Sequence, residues 1–166
     1  WDGDNDGLLD CEDGDCPLWV DDDSVAPVPD GSPAAPFPDI GAAMVEADVG
    51  VCTSIWVEPG GYAPFGWPLS GRDVGVFATG PTAATVVDGG GTATLVTVLG
   101  GQSSDSIIEG FTLINGLGPS GGAVVVMNSD FTISACHLED NESLNDGGAV
   151  GVSGGTVHVL SSTLTS

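Results

Sequence analysis

Five aspartates near the start of the chain have the spacing that a hard cation requires. Asp2, Asp4, Asp6, Asp10 and Asp13 fall at positions 1, 3, 5, 9 and 12 of a twelve-residue loop, with Gly7 at the sixth position and Leu8 at the seventh. Calcium takes about six to eight oxygen ligands, and a loop of this spacing wraps carboxylates around the ion. The glycine makes the sharp turn and the seventh residue offers its main-chain carbonyl. The expected ligand set is therefore Asp2, Asp4, Asp6, Asp10 and Asp13 with the carbonyl of Leu8, and the expected cofactor is Ca2+. Charge points the same way. The chain carries a net charge of −23 with one basic residue, Arg72, and 14 of its 24 acidic residues lie before residue 49. That charge repels itself unless a cation neutralises it, so the segment is expected to fold with metal. The run Asp21-Asp22-Asp23 lacks the loop spacing and reads as a solvated acidic stretch.

The elements that follow show a repeat. Gly121-Gly122-Ala123-Val124 recurs as Gly147-Gly148-Ala149-Val150, 26 residues on. At the same offset Val124 and Val126 fall on Val150 and Val152, Phe131 and Ile133 on Val157 and Val159, and Leu138 on Leu164. Alternating residues share one face of a strand, so the matched positions are expected to stack into interior columns. A unit this small cannot bury its own apolar face and needs a stacked neighbour. One repeat earlier, the same shift places Val98 under Val124, Ile107 under Ile133 and Asn115 under Asn141. The two asparagines are expected to stabilise stacked turns, because Asn tolerates left-handed backbone and its amides can form a ladder.

Leu138-Glu139-Asp140-Asn141 followed by Gly147-Gly148-Ala149-Val150 resembles the alternating FxxN and GGAI motifs of polymorphic outer-membrane and autotransporter-like passenger repeats, with Leu138 where Phe is usual. Ile40-Gly41-Ala42-Ala43-Met44-Val45-Glu46-Ala47 resembles the helix that caps pectate-lyase-like proteins, and Ser54 to Tyr62 resembles their first strand and turn. These resemblances cover about residues 39–166. They imply an all-β fold: a right-handed parallel β-helix, a solenoid of about 26 residues per coil, with an N-terminal capping helix. The acidic loop resembles EF-hand-type loops, and its Asp at the twelfth position is similar to those of thrombospondin type 3 and dockerin-like repeats. The expected organisation is a calcium-binding loop at 1–16, a Pro/Ala/Asp linker at 17–38 and the β-helix at 39–166. Ser166 aligns with Asp140, inside a coil, so further repeats or a neighbouring molecule are expected to complete the stack.

Composition excludes several functions. One basic residue cannot make a nucleic-acid or anionic-membrane surface, and no apolar run is long enough for a membrane helix. Cys11, Cys16, Cys52 and Cys136 admit three full pairings, among which a Cys11–Cys16 bridge would close a small loop. His137 and His158 lie on the strand pattern and do not group with them as zinc ligands. Pectate-lyase-like catalysis uses Lys and Arg, of which only Arg72 is present, and neither histidine stands in the Gly-His-Gly context of β-helical polygalacturonases. Glu58, Asp73, Asp88, Asp105, Glu109 and Asp130 could meet as acid and base across coils, but as isolated residues they read as turn formers. Tyr62, Phe65 and Trp67 either form a stacking platform for a sugar or close the edge of the core, and the second is preferred. The expected role is that of a secreted or cell-surface structural or adhesive segment, not an enzyme, which meets a second copy, another surface protein or a glycan. The alternative is a carbohydrate-active β-helix (polysaccharide lyase or glycoside hydrolase) or a sugar-binding module.

Overall fold

A computed structural model of the chain describes residues 17–50, 52–68, 70–145 and 148–166. They form parallel β-sheets with one α-helix. The chain visits three sheets in a repeating order, and each strand pairs in parallel with the strand laid down one circuit later. The first sheet holds six strands: Pro17–Val20, Ser54–Val57, Gly75–Ala78, Ile107–Glu109, Phe131–Ser134 and Val157–Leu160. The second holds Gly60–Tyr62, Thr85–Asp88, Thr112–Ile114, His137–Glu139 and Thr163–Thr165. The third holds Phe65–Gly66, Val96–Val98, Val124–Met127 and Val150–Ser153. A short ladder joins Leu117–Gly118 to Glu142–Ser143.

Alternation along each strand builds the interior. In the first sheet Leu18, Ile55, Val76, Ile108, Ile133 and Val159 stand in one register column. In the second the column is Tyr62, Val87, Leu113, Leu138 and Leu164. Phe65, Val96, Val124 and Val150 form the third. All five residue pairs expected from the 26-residue repeat are register partners. Each carries an aliphatic or aromatic group onto another about 4.8 Å away, so burial is shared between circuits and not within one.

One circuit earlier the expected register fails. Val96, not Val98, lies under Val124, and Val98 lies under Val126. Ile108, not Ile107, lies under Ile133, and Leu113 lies under Leu138. Two bends differ in length between circuits. Ile107 follows Val98 by nine positions, whereas Thr132 follows Val126, their register partners, by six; and Val124 follows Gly118 by six, whereas Val150 follows Ser143 by seven. The extra residues sit in the bends and leave the strands intact, as insertions in loops do. The period accordingly varies: Ser54 pairs with Gly75, 21 residues on, and Gly75 with Ile107, 32 residues on.

The stretch expected to be a linker contains Pro17–Val20, which pairs with Ser54–Val57 and forms the first strand of the first sheet. Pro17 is at its start, where a missing N–H costs least. The helix expected over Ile40 to Ala47 runs Ile40–Val49. Asp39 caps it by accepting from the Ala42 N–H at 2.8 Å, and Ile40, Ala43, Met44 and Ala47 are its buried residues. That i, i+3, i+4, i+7 spacing makes one apolar face, which meets Pro17–Val20, Ser54–Val57 and Phe65–Gly66.

Candidate functional site

Asp2, Asp4, Asp6, Leu8, Asp10 and Asp13, the expected calcium ligands, lie outside the described residues, as do Cys11 and Cys16. Among the described residues no group of three or more His, Cys, Asp or Glu side chains is placed to hold a metal ion. Cys52 is disulfide-bonded. Cys136 is a free thiol, 3% exposed, and burial pushes its pKa up to about 11. A thiol held neutral in this way is a core residue and a poor nucleophile.

Four of the six acids weighed for catalysis, Glu58, Asp73, Asp88 and Asp130, have structural partners. Asp73 accepts from the Ser103 N–H at 2.8 Å, the Ser103 hydroxyl at 2.7 Å and the Ser106 hydroxyl at 2.9 Å. Partial burial would raise its pKa, but these hydrogen bonds from Ser103 and Ser106 outweigh it and hold the carboxyl below the usual range. Asp88 accepts from the Gly90 N–H at 2.9 Å and the Asn115 amide at 3.0 Å, which hold its pKa down in the same way. Asp130 accepts from the Thr156 N–H at 2.8 Å and Glu58 from the Thr79 hydroxyl at 3.0 Å. Apart from the Gly90 N–H, which lies in the same bend as Asp88, the donors are one circuit away, so these carboxylates tie their bends to the next circuit.

The asparagines brace turns without forming an amide ladder. Asn115 has left-handed backbone with φ 54° and donates to Asp88. The shifted register puts it level with Asp140, whose φ is 52°. Asn141 accepts from the Gly116 N–H at 2.8 Å and donates to the Leu113 carbonyl at 2.8 Å. Stacking a bend on a bend requires the same backbone at the same level, and Asn and Asp adopt it at low cost.

Tyr62, Phe65 and Trp67 are 4%, 8% and 3% exposed. They close the core, and the sugar-platform alternative for them is discarded. The Trp67 indole donates to the Val74 carbonyl at 3.1 Å, and its ring meets Phe131 edge-on at 4.7 Å. The Tyr62 hydroxyl donates to the Glu58 carbonyl at 2.8 Å, and burial raises its pKa.

A different aromatic set faces outward. Trp19, Trp56 and Phe77 are register partners on three adjacent strands of the first sheet. They alternate with the buried Leu18, Val20, Ile55, Val57 and Val76, so their side chains leave the opposite face. Trp56 is 41% exposed and meets Trp19 edge-on with ring centroids 5.2 Å apart. The Trp19 Nε1 is buried and has no acceptor among the described residues. An orphaned donor costs about 1–3 kcal/mol, which the contact with Trp56 helps to offset. The signal was present in the sequence as Leu18-Trp19-Val20, Ile55-Trp56-Val57 and Val76-Phe77-Ala78, an aliphatic, aromatic, aliphatic triplet used three times. Its irregular spacing hides it from a search at one fixed period.

No protein-family model matches the chain, nor does any curated protein or solved structure.

Proposed function

We propose that this chain is a structural or adhesive segment of a secreted or cell-surface protein: a right-handed parallel β-helix that carries a calcium loop at its N-terminal end. The observation that supports it most is the register. Three parallel sheets, visited in one cyclic order with apolar residues stacked in columns, are what a solenoid needs to bury a core without any circuit being stable alone. The right hand follows from the strong preference of parallel crossover connections. A disulfide at Cys52 and an aspartate loop suit an oxidising compartment rich in calcium. The acids on the bends serve as braces, which leaves a long, regular, acidic surface as the functional part.

Titration calorimetry tests the calcium part. One site is expected, lost when Asp2, Asp4 and Asp6 are replaced together by Ala; no heat of binding in the intact chain would remove it. Incubation with neutral and acidic polysaccharides in millimolar calcium tests the role. No new reducing or unsaturated ends are expected, and their release would replace the scaffold reading by a carbohydrate-active one.

A further inference from the structure

The outer face of the first sheet carries a row that the core does not need. Ile55 and Val57 are fully buried, whereas Trp56 between them is 41% exposed. Its register partners on either side are also aromatic, so the row crosses three strands, about 10 Å along the stacking direction at the usual strand spacing. Beyond Phe77 the column continues with Glu109. Alongside it, two residues after Trp56 and so on the same face, stands Glu58, whose Oε2 accepts from Thr79.

A glycine makes room for the Phe77 ring in the row. A Cβ at Gly75 would come within 2.5 Å of the Phe77 ring, so any side chain there would displace it. The ring lies beside the backbone of its own strand at Gly75 and is half-buried. Trp56 is held at 69° to Trp19, which fixes its plane by contact and reduces the entropy lost on binding.

Three properties select the occupant. An open, nearly linear aromatic row suits flat, amphipathic rings laid one after another, because aromatic faces take apolar C–H surfaces and leave polar edges in water. It does not enclose a cation as an aromatic cage would. The neighbouring Glu58 and Glu109 accept hydrogen bonds and donate none, which suits hydroxyl groups, and a chain of net charge −23 with one basic residue repels polyanions. We propose that Trp56 and Phe77, with Trp19 as the support of Trp56, bind a neutral polysaccharide laid along the stacking direction, with its sugar faces on the rings and its hydroxyls toward Glu58 and Glu109. The biological role given to this site rests on the adhesive reading above; its geometry rests only on the strand register.

Affinity electrophoresis of the full chain through gels containing hydroxyethylcellulose, mixed-linkage β-glucan, xylan or galactomannan tests it, with alginate and polygalacturonate as acidic controls. At least one neutral polymer should retard the protein and neither acidic one should. Trp56→Ala should weaken that retardation roughly tenfold or more, as loss of a central aromatic anchor does, and Phe77→Ala should weaken it less. Leu144→Ala, at an exposed leucine away from the row, should change nothing. Trp56→Phe, which keeps a ring, covers the case in which the alanine variant fails to fold. No retardation by any neutral polymer, preference for the acidic ones, or equal retardation of wild type and both Trp56 variants would overturn the proposal. Adhesion to immobilised surface proteins, assayed in parallel, separates the two readings: if it persists without glycan binding, the adhesive role stands and the aromatic site falls.

Discussion

The two ends of the stack are built from the same columns and are treated in opposite ways. At the N-terminal end the helix Ile40–Val49 and the strand Pro17–Val20 cover the apolar face of the first circuits, and Leu18, Ile55, Ala43 and Ala47 are no more than 1% exposed. At the other end Val152, Val159 and Leu164 are 48%, 43% and 50% exposed. Yet Val126, Ile133 and Leu138, their partners one circuit below, are fully buried. The side chains differ little; what differs is whether another layer lies on top. Burial in this architecture is thus a property of a residue's place in the stack, and the comparison can be tested by cutting equivalent side chains at different levels.

The largest effect is expected in the middle. Ile133 lies between Ile108 and Val159 and is fully buried, so Ile133→Ala leaves a cavity that the flanking strands cannot close. A loss of about 2–5 kcal/mol is expected, read by denaturant unfolding. A loss below about 1 kcal/mol would mean that the column does not pack as a stack.

The helical end comes next. Asp39→Ala removes the side chain that caps the Ala42 N–H and should cost about 0.5–2 kcal/mol, whereas Asp39→Asn, which keeps an acceptor, should cost much less. The same unfolding measurement checks both. Equal losses would point to charge and not to capping.

The repeat from 121 to 166 is readable in the sequence because two adjacent circuits have bends of the same length, so one offset aligns every strand. One circuit earlier the bend from Gly118 to Val124 is one residue shorter than its partner and the bend from Val98 to Ile107 three residues longer, so the same offset lands one residue away from the true partner at Ile107 and two away at Val98. The strand Pro17–Val20 is hidden for another reason. Four residues between acidic segments are too few for a period to show, and the evidence for the strand is a partner 37 residues away, Ile55 opposite Leu18. Tyr62, Phe65 and Trp67 cluster in sequence and are core. Trp19, Trp56 and Phe77 are scattered in sequence and share a surface, because the columns of a stack gather residues from different circuits.

The smallest expected effect is at the open end. Leu164 stacks on Leu138 but is 50% exposed, so Leu164→Ala removes apolar surface that is already half in water and encloses no cavity. At about 25 cal/mol per Å2 of apolar area, its cost should stay under about 1 kcal/mol, well below that of Leu138→Ala. The ratio of the two carries the information. If Leu164→Ala costs as much as Leu138→Ala, something covers the last circuit in solution. The strand Thr163–Thr165 pairs with one neighbour only among the described residues, and an unpaired strand edge beside exposed aliphatics favours edge-to-edge association. Sedimentation over a range of protein concentrations then identifies a second copy as the cover, and Val159→Lys, which puts a charge into the apolar end of the column, should return the protein to monomer. If both measurements show an uncovered end, Val152, Val159 and Leu164 are exposed in solution as they are in the structure.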